Sequence, residues 1–329
     1  MFLGLNNLFS QTNTIDIIAD LNTIENTLEI QQDIVYFNNS DTVLSEVYFH
    51  NWSNAFRDKN TPLAKRFIEN YSKIFHFAKE KQRGSGEVNG ISVNYESADW
   101  EIREASPDIL KVILNSKLKP QDSILIRATY TVKIPSDKFT RYGENNNIYN
   151  LRYWYLTPAV FDDNWKIYSH LDLDDLYVDF INYNIKINTP KGYIVNTDLD
   201  QKSVLKDSII HHTLSGKKRQ DIQLNITKTN NFKNYEFDGH SILTNIDDEK
   251  LSHTLKNTIL QREFYFIQTY LGDIDRKKIV LSKIDYDKNP VYGFNQLPSF
   301  LAAYNNGFEW DIKLLKVLLD KYINEIFLF

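Results

Sequence analysis

The seven histidines are the side chains of this sequence best suited to bind a transition metal or to move a proton. They are His50, His76, His170, His211, His212, His240 and His253. A helical zinc site needs two histidines four residues apart, because that spacing places both rings on one helix face, with a glutamate beside the first to activate water. No histidine here precedes a glutamate, and no two are four apart. The sequence therefore lacks the motif of such a site.

Three of these histidines lie in predicted strands. His211 and His212 are adjacent in a predicted strand, so their rings point to opposite faces and do not share a metal ion. His50 ends another predicted strand, and we expect its ring to be hydrogen-bonded rather than catalytic. A structural role is the better interpretation for all three.

Cysteine chemistry is excluded because the sequence contains no cysteine. Disulfides, thiolate nucleophiles and cysteine-bound zinc or iron–sulfur sites are therefore ruled out. The absence of cysteine is compatible with both the cytoplasm and the cell envelope or periplasm, so the compartment stays open.

Other polar clusters carry weak signals. Asp172, Asp174 and Asp175 lack the central glycine and terminal glutamate of a calcium loop, and we interpret them as solvated carboxylates. The segment from Arg83 to Gly86 has two glycines but no following Lys-Ser or Lys-Thr, which favours a turn over a phosphate-binding loop. The basic stretch from Arg57 to Arg83 is typical of a solvated helix face. No Gly-x-Ser-x-Gly nucleophile motif occurs.

Charge and hydropathy restrict the partners. The net charge is −5 and the sequence pI about 5.8, so no overall positive field attracts nucleic acid or an anionic membrane. No apolar run approaches the ~20 residues that a membrane-spanning helix requires. The partly apolar start, Met1–Phe9, is compatible with the remnant of a signal peptide, although no Lys or Arg precedes Arg57.

Alternating apolar residues predict that the first two thirds of the chain form β-strands. One predicted hairpin runs from Leu28 to Phe49 around the turn at residues 38–41. A second runs from Leu110 to Ile134 around the turn at residues 119–122. The aromatic residues of the segment 153–165 suit either a binding groove or half-buried sheet positions, and we favour the latter.

The period of the apolar residues changes near Ile246. Asp247 is a suitable N-cap for a helix that Gly272 ends. The sequence therefore predicts a β-domain over residues 1–245 and an α/β segment over residues 246–329. A last predicted helix starts near Glu309 and ends the chain on an apolar tip, so we expect the natural protein to continue or a partner to cover this end.

A series of short motifs in fixed order resembles the aminopeptidase N and leukotriene hydrolase family, the gluzincin metallopeptidases. The motifs are Ile34–Ser40, Val47–His50, Asn54–Phe56, Leu118–Pro120, Tyr130, Arg141–Gly143, Tyr153–Pro158, Asp162, Trp165 and Ile187–Pro190. The resemblance implies a saddle-like antiparallel β-sheet domain followed by the beginning of a thermolysin-like catalytic domain. The expected fold class is thus β-rich with an α+β C-terminal segment.

The same resemblance implies where substrate and zinc would bind. The family's loop for the substrate amino terminus corresponds to Gly293, Phe294, Asn295 and Gln296, where the carboxylate expected to bind an α-ammonium group is absent. The zinc helix corresponds to the segment that begins at Trp310: Trp310 and Leu314 replace the two imidazole ligands, and Asp311 replaces the base. Since indole and aliphatic side chains do not ligate zinc, we expect no metal, no cofactor and no catalytic residue.

Three interpretations of function follow. The first is a non-catalytic, aminopeptidase-like protein with a groove for an extended peptide. The second is a fragment of an active zinc aminopeptidase whose catalytic residues lie beyond Phe329, so that the partner of this chain is the rest of its own polypeptide. The third is a stand-alone β-sandwich binding module that folds without the residues after Asn245.

Overall fold

The computed structural model describes residues 11–172, 177–272, 276–288, 314–319 and 321. The strands of these ranges are β1 Thr14–Asn22, β2 Thr27–Phe37, β3 Leu44–His50, β4 Ser85–Val93, β5 Glu96–Ser97, β6 Trp100–Arg103, β7 Ser106–Leu118, β8 Ser123–Lys133, β9 Gly143–Asn145, β10 Ile148–Leu151, β11 Thr157–Pro158, β12 Phe161–Asp162, β13 Asn164–Trp165, β14 Ile181–Pro190, β15 Ile194–Asn196, β16 Asp200–Lys206, β17 Ile209–Arg219, β18 Leu224–Thr227, β19 Lys233–Phe237, β20 His240–Thr244 and β21 Lys278–Leu281. The helices are α1 Pro62–Glu69, α2 His253–Leu271 and α3 Lys283–Asp287, with 3₁₀ turns at Trp52–Phe56 and Glu80–Gln82 and further helical residues at 314–319.

An eight-stranded sheet in the order β16-β17-β14-β1-β2-β8-β4-β5 is the largest element. Its strands alternate buried and exposed residues; in β1 the buried residues are Ile15, Ile17, Ala19 and Leu21. This alternation turns one face of the sheet to the protein core. Pairing is antiparallel except between β1 and β14, which are parallel.

A second sheet, in the order β11-β3-β7-β6, packs on the first. Apolar residues of both sheets, such as Val47 and Val112 from the second and Ile34 and Ile126 from the first, belong to one buried cluster that extends from Ile15 to Ile226. We call this cluster the first core. The β-rich fold expected from the sequence is therefore confirmed.

Both hairpins expected from the sequence are wrong. Strands β2 and β3 lie in different sheets, and so do β7 and β8. The two connections are crossovers that lie side by side: Asn38 N donates to Asp122 O at 3.0 Å, and Gln121 N donates to Asn38 O at 2.9 Å. Alternation along two consecutive strands shows that each has a buried face, but not that they pair with each other.

Apolar residues among the described parts of the chain between Tyr235 and Leu319 form a separate cluster, which we call the second core. The three-stranded sheet β19-β20-β21 packs against α2 and the helical residues 314–319, with Tyr235, Ile242, Leu260 and Leu314 fully buried. The hairpin β19–β20 precedes residue 245 but contributes to this cluster. The domain boundary near residue 245 remains a prediction.

The N-cap expected at Asp247 is wrong. Helix α2 begins at His253, and the Ser252 hydroxyl accepts from Leu255 N at 3.2 Å. Asp247 instead forms ion pairs with Lys233 and Lys256. The end of the helix at Gly272, with φ +98°, agrees with the sequence prediction. No helix within the described ranges has both the length and the hydropathy of a membrane span.

Candidate functional site

The segment after β10 contains a left-handed residue near the contact of the two cores. Tyr153 has φ +53°, the left-handed conformation that a bulky side chain rarely adopts. Such conformations occur mainly where the surrounding structure imposes them, and they are frequent at binding and active sites. Both Arg152 and Tyr153 are partly exposed, whereas Trp154 and Tyr155 are buried.

A buried hydrogen-bond network fixes this segment to the first core. Gln32, fully buried on β2, donates from Nε2 to Leu156 O at 2.7 Å and accepts from Leu156 N at 3.1 Å. The Tyr130 hydroxyl donates to Gln32 Oε1 and accepts from Leu156 N at 3.2 Å. Each polar atom of the glutamine amide thus has a partner, as a buried amide requires. The strand scaffold therefore sets the position of Tyr153.

An ionic cluster, which we call the junction, joins the first core to the second. It consists of Arg152, Asp221, Gln223, Ser282, Asp285 and Lys321. Asp285 Oδ2 accepts from Gln223 Nε2 and from Ser282 Oγ, each at 2.7 Å. The guanidinium of Arg152 lies 3.2 Å from Asp221 Oδ2 and 3.8 Å from Asp285 Oδ1.

The charge of Asp285 is stabilised by its neighbours. Burial opposes ionisation of this carboxyl, but the nearby cations of Arg152, Lys321 and Arg141 and the hydrogen bond from Gln223 outweigh that effect and lower its pKa. Lys321 also donates to Gln223 Oε1 at 2.9 Å, and its charge lowers the pKa of Asp285. The junction is therefore a compensated set of charges that binds the C-terminal segment to the β-sheet scaffold.

An aromatic cluster adjoins the junction through Tyr153. The guanidinium carbon of Arg152 lies 5.2 Å from the centre of the Tyr153 ring, and that ring meets the Trp52 indole edge-on at 4.9 Å. Trp52 stacks on His50 at 4.6 Å, and His50 contacts Tyr168 at 4.9 Å. Of these rings Trp52 and His50 are buried, whereas Tyr153 and Tyr168 are partly exposed and can contact a peptide.

His50 and Asp108 are the titratable groups enclosed behind these rings. Burial lowers the pKa of His50 to about 3, and neither ring nitrogen has a hydrogen-bond partner among the described residues. The hydrogen bonding expected for His50 is therefore wrong: ring stacking holds it. Burial also raises the pKa of Asp108 to about 6. This effect outweighs the hydrogen bonds from His170 N at 2.7 Å and Ser169 Oγ at 2.9 Å, which act to lower the pKa.

A second ion pair connects the same two parts of the chain. Arg276, which precedes β21, lies 2.6 Å from Asp198 in the connection between β15 and β16, and both side chains are nearly buried. Further on, Lys288 donates to the backbone oxygen of Lys138 at 2.9 Å.

Most of the site residues expected from the resemblance lie outside the described residues. These are Gly293, Phe294, Asn295, Gln296, Trp310 and Asp311. Leu314 is described, and it is fully buried in the second core. An enclosed aliphatic side chain does not suit the place of a zinc ligand. In the described ranges no three His, Asp or Glu side chains converge as a metal site would require. The described residues thus do not fit a zinc ion.

The adjacent histidines of β17 lie as expected on opposite faces of the sheet. His212 is buried, and its ring lies 2.8 Å from Ser203 Oγ and 3.0 Å from Thr189 Oγ1. His211 is exposed and contacts Asn188 Oδ1 at 2.7 Å. Burial is the larger cause, and the electrostatic effect of His211 the smaller one, that lowers the pKa of His212 to about 4. Both rings act as links between strands.

Sequence reasoning did not identify the junction. Arg152 directly precedes the motif Tyr153–Pro158, and Asp285 belongs to no recognised motif; charged residues at such places are common in loops. Burial, which gives these side chains their importance, depends on contacts across more than a hundred residues of sequence. No local pattern reports such contacts.

No family model matches the chain, and no curated protein matches it by sequence. Solved structures do match. The M1 zinc metallopeptidase from Deinococcus radiodurans superposes with a TM-score of 0.50 at 7% identity, covering 83% of this chain and 56% of that one. A variant of that enzyme bound to a Tyr-Ser-Ala substrate gives a TM-score of 0.50 at 8% identity, with the same coverages.

A third structure, a two-domain M1 zinc metallopeptidase variant bound to L-arginine, gives a TM-score of 0.50 at 7% identity and covers 83% of this chain and 55% of that one. At such identities the likeness shows the fold alone. The chain thus has a β-rich fold that resembles the N-terminal domain of M1 metallopeptidases. It spans little more than half the length of these structures.

Proposed function

We propose that this chain is a zinc-independent, aminopeptidase-like protein that binds an extended peptide beside Tyr153. The observation that carries the first half of the proposal is Leu314: the resemblance assigns it to a zinc ligand, yet its side chain is fully buried in the second core. The sequence supports the same conclusion, since no histidine pair has zinc-motif spacing.

The peptide-binding half rests on Arg152 and Tyr153. The tyrosine is held in a left-handed conformation by a fixed segment, and it is partly exposed where the two cores meet. A rigid, partly exposed aromatic ring offers a stacking surface for an extended peptide. In this proposal Gly293, Phe294, Asn295 and Gln296, which lie outside the described residues, form an edge of the groove as the resemblance implies.

The tripeptide Tyr-Ser-Ala, which one structural relative binds as a substrate, is the first probe. Titration calorimetry should show binding, and mass spectrometry should recover the peptide intact. The variant Y153N should weaken binding by about ten-fold or more, because asparagine tolerates the left-handed backbone but removes the ring. Y95N is the matched control: Tyr95 is also left-handed, at φ +70°, and is 78% exposed on the β4–β5 turn.

Two results would contradict the proposal. Hydrolysis of the tripeptide with zinc bound to the chain would show an active peptidase. Equal binding by Y153N and the wild type would place the peptide elsewhere. The rival interpretation of an active fragment predicts a His-Glu-x-x-His helix in a reading frame that continues past Phe329, so reading the gene further separates the two.

A further inference from the structure

A pocket with a volume of about 480 Å³ lies on the first core, between the start of β4, strand β6 and the end of β8. It shares no residue with the junction. Its size falls in the range of small-molecule sites. Its walls combine cationic groups with one aromatic and two aliphatic side chains. Such a composition suits an anion that also has an apolar part.

Three cations line this pocket: Arg57, Arg83 and Lys133. In the sequence, the stretch that begins at Arg57 and ends at Arg83 reads as a solvated helix face. The fold instead brings its two ends to one pocket, and β8 adds Lys133. Two carboxylates, Glu80 and Glu87, also line it, which leaves an excess of one positive charge.

Arg83 is the best positioned of the three cations. Its guanidinium carbon lies 5.7 Å from the centre of the Phe75 ring, which is fully buried. Its Nε is buried and has no hydrogen-bond acceptor among the described residues. A buried N–H group without an acceptor costs free energy, so this atom favours a ligand that brings an oxygen. The other two cations have contacts: Arg57 pairs with Asp58 at 3.2 Å, and Lys133 donates to Glu80 O at 3.3 Å.

The floor of the pocket is rigid. Gly86 donates to Asn54 Oδ1 at 3.3 Å and accepts from Asn51 Nδ2 at 2.8 Å, so its backbone groups are already used. A Cβ atom on Gly84 would lie 2.6 Å from Lys133 O, and the strand therefore packs too closely here for any larger residue. Gly86 therefore offers no free backbone N–H group to a phosphate.

The pocket also has apolar lining residues. Trp100, Ile102 and Val88 line the pocket, and each is a partly buried residue packed against the first core. We propose that this pocket binds a small organic carboxylate, with the carboxylate on Arg83 and an aromatic or apolar body against Trp100 and Ile102. A monoanion matches the single excess charge, whereas the two glutamates disfavour a phosphate dianion.

The test uses N-acetyl-L-phenylalanine as the probe and its neutral amide as the matched ligand. Calorimetry on the full chain should detect the carboxylate and not the amide. R83M should weaken binding of the carboxylate by about ten-fold or more, since a charge-assisted hydrogen bond is lost. K81M changes an exposed lysine two residues away that does not line the pocket, and it should bind like the wild type.

R57M is a second variant. The Arg57 side chain is about half exposed, so its replacement should not disturb folding. Binding of the carboxylate should weaken by a smaller factor than in R83M. Three results would overturn the proposal: equal binding of acid and amide, an R83M variant as tight as the wild type, or preference for inorganic phosphate. Absence of binding into the millimolar range would also reject it. Y153N should leave this binding unchanged, which separates the pocket from the peptide groove.

Discussion

Asp285 shows how a buried charge holds two parts of this chain together. Its carboxylate accepts from Gln223 and Ser282 and faces the guanidinium of Arg152. A buried ion pair of this kind adds little compared with an apolar pair, but removal of one partner leaves the other charge uncompensated. The importance of the junction is therefore visible through single substitutions.

The variant D285N should lower the free energy of unfolding by about 2–4 kcal/mol at neutral pH, because Arg152 and Lys321 lose their common anion. Urea unfolding followed by circular dichroism measures this change. D287N is the matched control on the same helix: Asp287 pairs with Lys283 in a largely exposed position, so its loss should cost less than about 0.5 kcal/mol.

The pH dependence of the same pair has a definite sign. The pKa of Asp285 is lowered by folding, so its contribution is complete above the unfolded pKa of about 4 and is lost as the pH falls through the folded pKa. The difference between wild type and D285N should therefore shrink in acid. A difference that stays constant down to pH ~2 would contradict this assignment.

His50 should make the protein acid-sensitive in a higher pH range. Its pKa is lowered to about 3 in the folded state and is about 6.5 when unfolded, so the unfolded chain binds the extra proton first. Stability should fall by about 1.4 kcal/mol per pH unit from pH ~6 towards pH ~3 through this residue.

The variant H50F keeps the stacking on Trp52 and removes the titrating group. It should flatten that part of the stability–pH curve, as measured by urea unfolding between pH 4 and pH 7. H76F, which changes an exposed histidine, is the matched control. A curve for H50F as steep as that of the wild type would show that His50 does not titrate as proposed.

At the scale of elements, the sequence predicted strands well and their partners poorly. Alternation in the segments 28–36 and 43–49 marked β2 and β3, since each strand has one buried face. Strand β2 pairs with β1, whose segment 14–22 was not identified, and with β8, whereas β3 pairs with β7 and β11. Because a crossover and a hairpin turn use the same polar residues, the turn at 38–41 does not distinguish them.

The junction and the carboxylate pocket escaped prediction for a related reason. Each gathers residues from distant strands: Arg83 meets Lys133 in the pocket, and Arg152 meets Asp285 at the junction. A local pattern gives the type of element and its buried face, whereas the neighbours of a side chain depend on sheet order. The motif Tyr153–Pro158 was the exception, since the resemblance singled it out.

The chain just before β4 packs closely against the end of β8, and this packing can be tested by substitution. G84A should lower the free energy of unfolding by about 1–3 kcal/mol, because the added methyl group would lie within 3 Å of Lys133 O and of Pro135 Cδ. Gly90 lies within β4, which Gly84 precedes; the methyl group of G90A would meet only the Thr129 hydroxyl, at 3.5 Å, and should be nearly neutral. Urea unfolding compares the two. Equal stabilities would mean that β4 lies farther from β8 than described.

Among the described residues, the two large apolar cores are connected by charged contacts. The pairs Arg152–Asp285 and Arg276–Asp198 both cross between them, and the hairpin β19–β20 belongs to the second core although it precedes residue 245. Since β20 pairs with β21 in this core, the residues after 245 supply part of the support for β19 and β20. This arrangement favours a continuous two-part protein over a stand-alone β-module.

We propose that this M1-like fold performs its role without zinc. The most direct test is the metal content of the purified chain, measured by inductively coupled plasma mass spectrometry after incubation with excess zinc and removal of free metal. We expect much less than one zinc per chain, because Leu314 is enclosed in the second core and the sequence lacks paired histidines. One zinc retained per chain would contradict this account.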